Sequence, residues 1–279
     1  PTNGIGTLAL TMELYLCERD AGRHGRRTAH LFFTSPPVCN RQLAAMWERV
    51  VPMHWIARPA ERLNRWLPGG RAHQLPWGKI PADIYGLLST TRPHLAFTEQ
   101  ELAQGWCAAR ALGIAEGRPF VCVHARESGH WRKDYPMYEE ACGYRNSDIR
   151  TYVPAMEALA RRGYTAVRMG ATTQQRLETA HPWIIDYAAT HRTEFLDIFL
   201  CAHNRFYLGD SSGLNCIPMV FRKPIAIVNY GVLEYLAVST SPADLIIPKR
   251  LWLRSERRWL TFPEILRGGY DRGDQYVAG

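Results

Sequence analysis

The sequence predicts an α/β protein of two Rossmann-like lobes, with mainly parallel sheets facing each other across a cleft. Three observations lead there. Short apolar strands alternate with amphipathic helices, as in FVCVH (120–124), YTAVRM (164–169) and PIAIVN (224–229), and such alternation builds a parallel sheet covered on both faces. A polar connection bounded by Gly113 and Gly117 separates two such series, so residues 1–112 are expected to form one lobe and residues 113–279 the other. With 279 residues, 46% of them hydrophobic, the chain is long enough for each lobe to bury a core.

The elements follow in order. Gly4-Ile5-Gly6-Thr7 is a turn ahead of apolar residues at helical spacing through Leu16, which reads as a strand-to-helix turn whose strand is missing. Residues 27–34 (RTAHLFFT) are strand-like. Asn40 caps a helix reaching Val51, with Leu43, Met46, Trp47 and Val50 on one face. Pro36-Pro37, Pro68-Gly69-Gly70 and residues 76–81 mark loops. Thr98 and Glu101 have the spacing of a capping box for a helix over 98–112.

In the second lobe the strand at 120–124 opens onto a polar loop, 125–146, rich in Arg, His, Tyr and Gly. A helix over 148–162 tolerates Pro154 near its start and stops at Gly163. Strands are expected at 164–169 and 183–187, a helix at 194–202, and a strand at 206–209. A helix over 215–221, despite Pro218, and a strand at 224–229 complete the series.

Charge and composition narrow the function classes. The formal charge is +8, from 34 Lys and Arg against 26 Asp and Glu, and arginine predominates. That excess suits a phosphate-bearing or acidic partner, because guanidinium binds phosphate bidentately; a GC-rich genome and a solvated basic surface explain it equally well. Seven scattered cysteines form no CxxC pair, which points to a reducing cytoplasm. No apolar run reaches the roughly 18 residues of a membrane span, although basic residues could still dock the chain peripherally on a membrane. GxxxxGK[ST], HExxH, GxSxG and DxD patterns are all missing and the ten histidines lack metal spacing, so no metal or cofactor is expected. Arg272-Gly273-Asp274 is a chance triplet in a polar tail, and no nucleic-acid partner is expected.

Three strand ends of the second lobe offer groups for a nucleotide diphosphate. In open α/β sheets ligands bind beyond the carboxyl ends of the strands. At the first, His124-Ala125-Arg126 places Arg126 to bridge pyrophosphate oxygens, or else to pair with Glu127 or Asp148. At the second, Arg168 and Gly170 end a strand, where a plain turn is almost as good a reading. At the third, Asp210-Ser211-Ser212-Gly213 leads from a strand into a helix, where amides, hydroxyls and the helix dipole favour a phosphate; Asp210 could instead bond a sugar hydroxyl, or Asp210 or Ser211 could serve only as a helix cap. Between them Tyr144 could stack on a base and Asn146 bond the donor or cap the following helix. Trp131, Tyr135 and Tyr138 could line an acceptor groove or pack in a hinge.

At these residues the chain resembles the GT-B glycosyltransferases, and more closely a bacterial family of that fold found with surface-polysaccharide genes. The resemblance runs through residues 4–20, 40–50, 144–170, 194–218 and 242–253. More distantly, His124-Ala125-Arg126 and Asp210-Ser211-Ser212 are similar to the HxR and (D)SS motifs of fucosyltransferase-like enzymes, in which the arginine meets the donor pyrophosphate. The resemblance implies transfer of a sugar from a nucleotide-activated donor to a glycan or lipid-linked glycan acceptor. The family usually has a basic residue and a histidine in its first loop, where this chain has Gly4 and Thr7. The chain starts at Pro1, where a first strand should end, and stops at Gly279, short of the family's final helix, so a piece of a longer protein is expected.

The mechanism expected is metal-independent transfer with Arg126 stabilising the leaving diphosphate and Glu13 as the candidate general base, unless Glu13 is an ordinary helix carboxylate. A binding protein for nucleotide sugars or phospho-ligands that has lost catalysis, and a nucleotide-sugar epimerase, are the alternatives.

Overall fold

The computed structural model describes residues 3–24, 30–34, 36–74, 83–128, 142–231, 233 and 241–270. Its centre is one six-stranded sheet, all parallel, formed by β1 (Phe120–His124), β2 (Thr165–Met169), β3 (Ile184–Ile185), β4 (Tyr207–Gly209), β5 (Ile225–Tyr230) and β6 (Leu245–Pro248). The spatial order is β3-β2-β1-β4-β5-β6. This is the order of the dinucleotide-binding Rossmann sheet. β1 and β2 are buried along their whole length, as befits central strands covered on both faces, and in β2 this includes Thr165 and Arg168.

Alternate residues of the strands feed two cores. Val121, Val123 and Ala166 pack on one face against Ile149, Tyr152, Met156 and Ala160 of the segment that ends in helix α6 (Val153–Arg161). Phe120, Cys122, Val167, Tyr207, Ile225 and Ile227 face the other way, into the larger core. There they meet α8 (Glu194–His203) and α9 (Cys216–Val220), and also two helices from the first third of the chain: α1 (Met12–Asp20), entered through a π-helical turn at Thr7–Thr11, and α2 (Arg41–Val50). Asn40 fastens this packing, because its side-chain oxygen caps α2 at Leu43 N (2.8 Å) while its amide donates to the Glu194 carbonyl (2.9 Å).

That arrangement departs from two sheets facing across a cleft. Among the described residues, 3–112 contribute no strand to any sheet, only an isolated bridge between Phe32 and Met53. Besides α1 and α2, which join the core beneath the single parallel sheet, they form α3 (Ala57–Asn64), α4 (Leu87–Thr90), which packs on α1, and α5 (Glu99–Ala111), which packs on α8. The strand expected at 27–34 falls partly outside the described residues. α5 carries both halves of the Thr98/Glu101 capping box. The strand expected at 183–187 is cut to two residues because Asp186 turns the chain and caps the short helix α7 (Tyr187–Thr190) through Ala189 N (3.3 Å). Beyond β6 lie a hairpin of β7 (Trp252–Leu253) with β8 (Arg258–Trp259) and helix α10 (Phe262–Arg267), itself started by a Thr261/Glu264 capping box.

Candidate functional site

The strand order creates one topological switch point. From β1 the chain proceeds outward to β2 and β3, while β4 lies on its other side and leads to β5 and β6, so the loops after β1 and β4 part and leave a crevice. His124 and Gly209 are register partners at that edge. Gly209 permits the contact: a Cβ there would lie 2.7 Å from the His124 carbonyl oxygen and 2.9 Å from the Tyr207 ring.

The two loops are tied together by Asp210, which is fully buried. Its Oδ2 accepts the Arg126 backbone N–H at 2.6 Å, and its Oδ1 lies 3.4 Å from His124 Nδ1. Ser212 Oγ is 3.3 Å from the same nitrogen. The site is therefore a carboxylate, an imidazole and a hydroxyl in contact, with the Arg126 side chain leaving from the same loop. Burial, and then the Asp210 charge, push the Tyr152 hydroxyl up to about 12, and raise Tyr207 well above the ordinary phenol range for the same two reasons.

Cations border this turn. Arg126 Nη1 donates to the Cys142 carbonyl (3.3 Å) and to Asn146 Oδ1. Arg145 donates through Nε and Nη2 to the Ser211 carbonyl (3.0 and 2.7 Å), and Lys249 Nζ to the Tyr144 carbonyl (2.6 Å). Tyr144 packs across Gly231, where a Cβ would meet its ring at 3.0 Å. Arg145 and Lys249 were not among the residues expected at the site. Arg145 stands between two that were; Lys249 comes from beyond β6 and has no local signal. Burial lowers the Lys249 pKa, and Asp210 opposes that shift.

Other expected residues are placed elsewhere. Arg168 is 1% exposed, with Nη2 2.5 Å from Glu127 Oε1 and Nη1 3.0 Å from Asp186 Oδ2. Its charge is committed to two carboxylates, so it braces the loops after β1 and β3 rather than facing a ligand. Gly170 sits beside the imidazole: a Cβ there would be 4.0 Å from His124 Nε2. Ser211, Ser212 and Gly213 do lie on the turn, and the helix expected over 215–221 is present as the five residues of α9, entered through a 3-10 turn (Gly213–Asn215). A helix that short supplies little macrodipole. Among the described residues, Arg126, Arg145 and Lys249 are the cations bordering the turn.

The first loop reaches the turn through Gly6, where a Cβ would lie 2.9 Å from Gly213 Cα. Glu13 does not. It lies seven residues further along the helix, about 10 Å at roughly 1.5 Å per residue, and is fully buried. Arg222 Nη2 is 2.6 Å from its Oε1, and His94 Nδ1 is 3.1 Å away. Arg222 precedes β5, so Glu13 belongs to the amino edge of the sheet, opposite the switch point, and cannot serve there as a base. Glu13, Cys17 and His94 bring a carboxylate, a thiol and an imidazole within 4.8 Å of one another, a set able to hold a metal ion. Arg222 Nη2 already fills that space, 3.5 Å from Cys17 Sγ and 3.0 Å from Thr91 Oγ1. Hydrogen bonds to Cys17, Glu13 and Asp20 raise the His94 pKa to about 10, so the cluster is an ionic staple between α1 and the segment before β5. Trp131, Tyr135 and Tyr138 lie outside the described residues.

No helix among the described residues is long and apolar enough to cross a membrane. All seven cysteines are free thiols. No family model matches the chain, and no curated protein matches it. Among solved structures, a glycosyl transferase family 9 protein from Veillonella parvula is similar to it, with a TM-score of 0.40 and 10% identity over 97% of this chain and 77% of that one.

Proposed function

We propose that the chain is a glycosyltransferase whose nucleotide-sugar donor lies with its diphosphate over the switch point between β1 and β4. The observation that carries this reading is the meeting of His124, Arg126, Asp210 and Ser212 at that crevice. Arg126, Arg145 and Lys249 border the turn, and guanidinium and ammonium groups there suit a diphosphate. In the transfer, an acceptor hydroxyl oxygen bonds to the anomeric carbon. The bond from that carbon to the donor diphosphate breaks and its electron pair leaves with the diphosphate, where Arg126, Ser211 and Ser212 stabilise the charge without a metal. The hydroxyl proton goes to a base. With Glu13 buried at the opposite edge, His124 takes that role, its Nδ1 within 3.3 Å of Ser212 Oγ and 3.4 Å of Asp210 Oδ1 and its Nε2 beside Gly170. Tyr144 and Asn146 flank the donor. A bacterial surface glycan, lipid-linked or free, is the acceptor class, and the reaction is placed in the cytoplasm with peripheral membrane association.

One observation favours a second reading, a nucleotide-sugar binding protein without turnover. Gly4 and Thr7 occupy the loop that reaches the turn, and Glu13 is withdrawn from it, so the described residues of the first third place no carboxylate there. Incubation with a panel of nucleotide sugars separates the two. Slow release of nucleoside diphosphate, lost in Arg126→Ala, supports the transferase; binding without release supports the second reading; neither binding nor release removes both.

A further inference from the structure

The amino edge of the sheet holds a recess of about 1020 Å³ that plays no part in the proposed transfer. Its floor is formed where β1, β4 and β5 begin, and Trp106 on α5 forms part of one wall. Arg205 and Lys223 stand side by side on this floor. The Arg205 N–H donates to the Phe120 carbonyl (2.7 Å), and the pairing of Tyr207 with Ile225 sets Arg205 level with Lys223 on the adjoining strand, about 4.8 Å away in backbone spacing. Neither is in an ion pair among the described residues. Burial, and then the Arg205 charge, lower the Lys223 pKa, so the two cations repel each other at close range.

Two groups in the same recess are polar and orphaned. Arg118 lies with its guanidinium carbon 3.3 Å above the Trp183 ring, yet its buried Nε and Nη2 have no acceptor. Asn204, 1% exposed, has no donor for its Oδ1. Cation donors without acceptors and an amide oxygen without a donor are together complementary to one kind of molecule: an anion that also carries a hydroxyl.

We infer that this recess is a second ligand site, for a small soluble compound bearing a phosphate or diphosphate. The phosphate oxygens face Arg205 and Lys223, and a hydroxyl donates to Asn204 Oδ1. A concave recess between strand ends suits a soluble compound better than the broad face of a lipid bilayer. The inference is independent of the transferase reading, since it concerns the opposite edge of the sheet.

The test uses inorganic pyrophosphate as the probe, titrated calorimetrically into Arg126→Ala so that the switch-point site is weakened. Saturable binding is expected in that variant, at least tenfold weaker when Arg205→Gln and Lys223→Gln are added, with an unchanged thermal melt. Lys223→Gln alone, a single change at a half-buried position, provides the same comparison if the double substitution fails to fold, with a smaller loss expected. Equal affinity with and without the groove substitutions overturns the inference. So does failure of Arg126→Ala to bind pyrophosphate at all. Pelleting with phosphatidylglycerol vesicles without pyrophosphate binding also overturns it, and would assign the cations to a lipid headgroup.

Discussion

Replacing Arg168 by methionine separates a buried brace from a ligand contact. The guanidinium is 1% exposed and holds Glu127 Oε1 at 2.5 Å and Asp186 Oδ2 at 3.0 Å. Methionine fills most of the volume of the stem but leaves two carboxylates facing each other without a cation. Breaking a buried pair from one side costs about 3–5 kcal/mol. The acceptor side is already engaged elsewhere, by Gln174 N on Glu127 and Leu177 N on Asp186 (3.0 Å), so the acids cannot simply rotate into water. The loss in Arg168→Met should therefore fall in that range. Adding Glu127→Gln and Asp186→Asn should recover most of the loss by removing the unpaired charges. Urea unfolding followed by tryptophan fluorescence gives each value. A loss below about 1 kcal/mol, or no recovery in the triple variant, would refute the brace and return Arg168 to the donor site.

Three other outcomes follow from the structure. Arg126→Ala should lower nucleoside-diphosphate release by about 10²–10³-fold, the scale of a lost charge-stabilising donor, while costing about 1 kcal/mol of folding for the bonds to Cys142 and Asn146; single-turnover assays and urea melts report the two separately. Gly209→Ala drives a Cβ to 2.7 Å from a backbone oxygen that cannot swing away, so a loss of about 1–3 kcal/mol is expected from overpacking at the switch point, measured as a shift in the urea midpoint. His94 has its pKa raised from 6.5 to about 10 by Cys17, Glu13 and Asp20. Its contribution is thus fully present below pH 6.5 and is lost as pH rises through about 10, and His94→Gln should flatten the fall in the urea midpoint across that window.

The sequence by itself determined what is local. The Asn40 cap and the Thr98/Glu101 box depend on residues three apart, and the buried strands 120–124 and 165–169 on short, mainly apolar runs, so all were legible. The His124-Ala125-Arg126 and Asp210-Ser211-Ser212 strand ends were legible as residue types at strand ends. Only the tertiary structure decided which strand ends are neighbours: β1 beside β4 makes one crevice, and β2 beside β3 hands Arg168 to Asp186 instead. Glu13 reads in sequence as a candidate base or an ordinary helix carboxylate, and only folding brings Arg222, 209 positions away, to within 2.6 Å. The helices of the first third could not be assigned to one sheet rather than a second, because an amphipathic helix specifies that its face be buried and leaves open against what. Pairing between charges far apart in the chain is fixed by strand order, and strand order is a property of the whole chain that no short window contains.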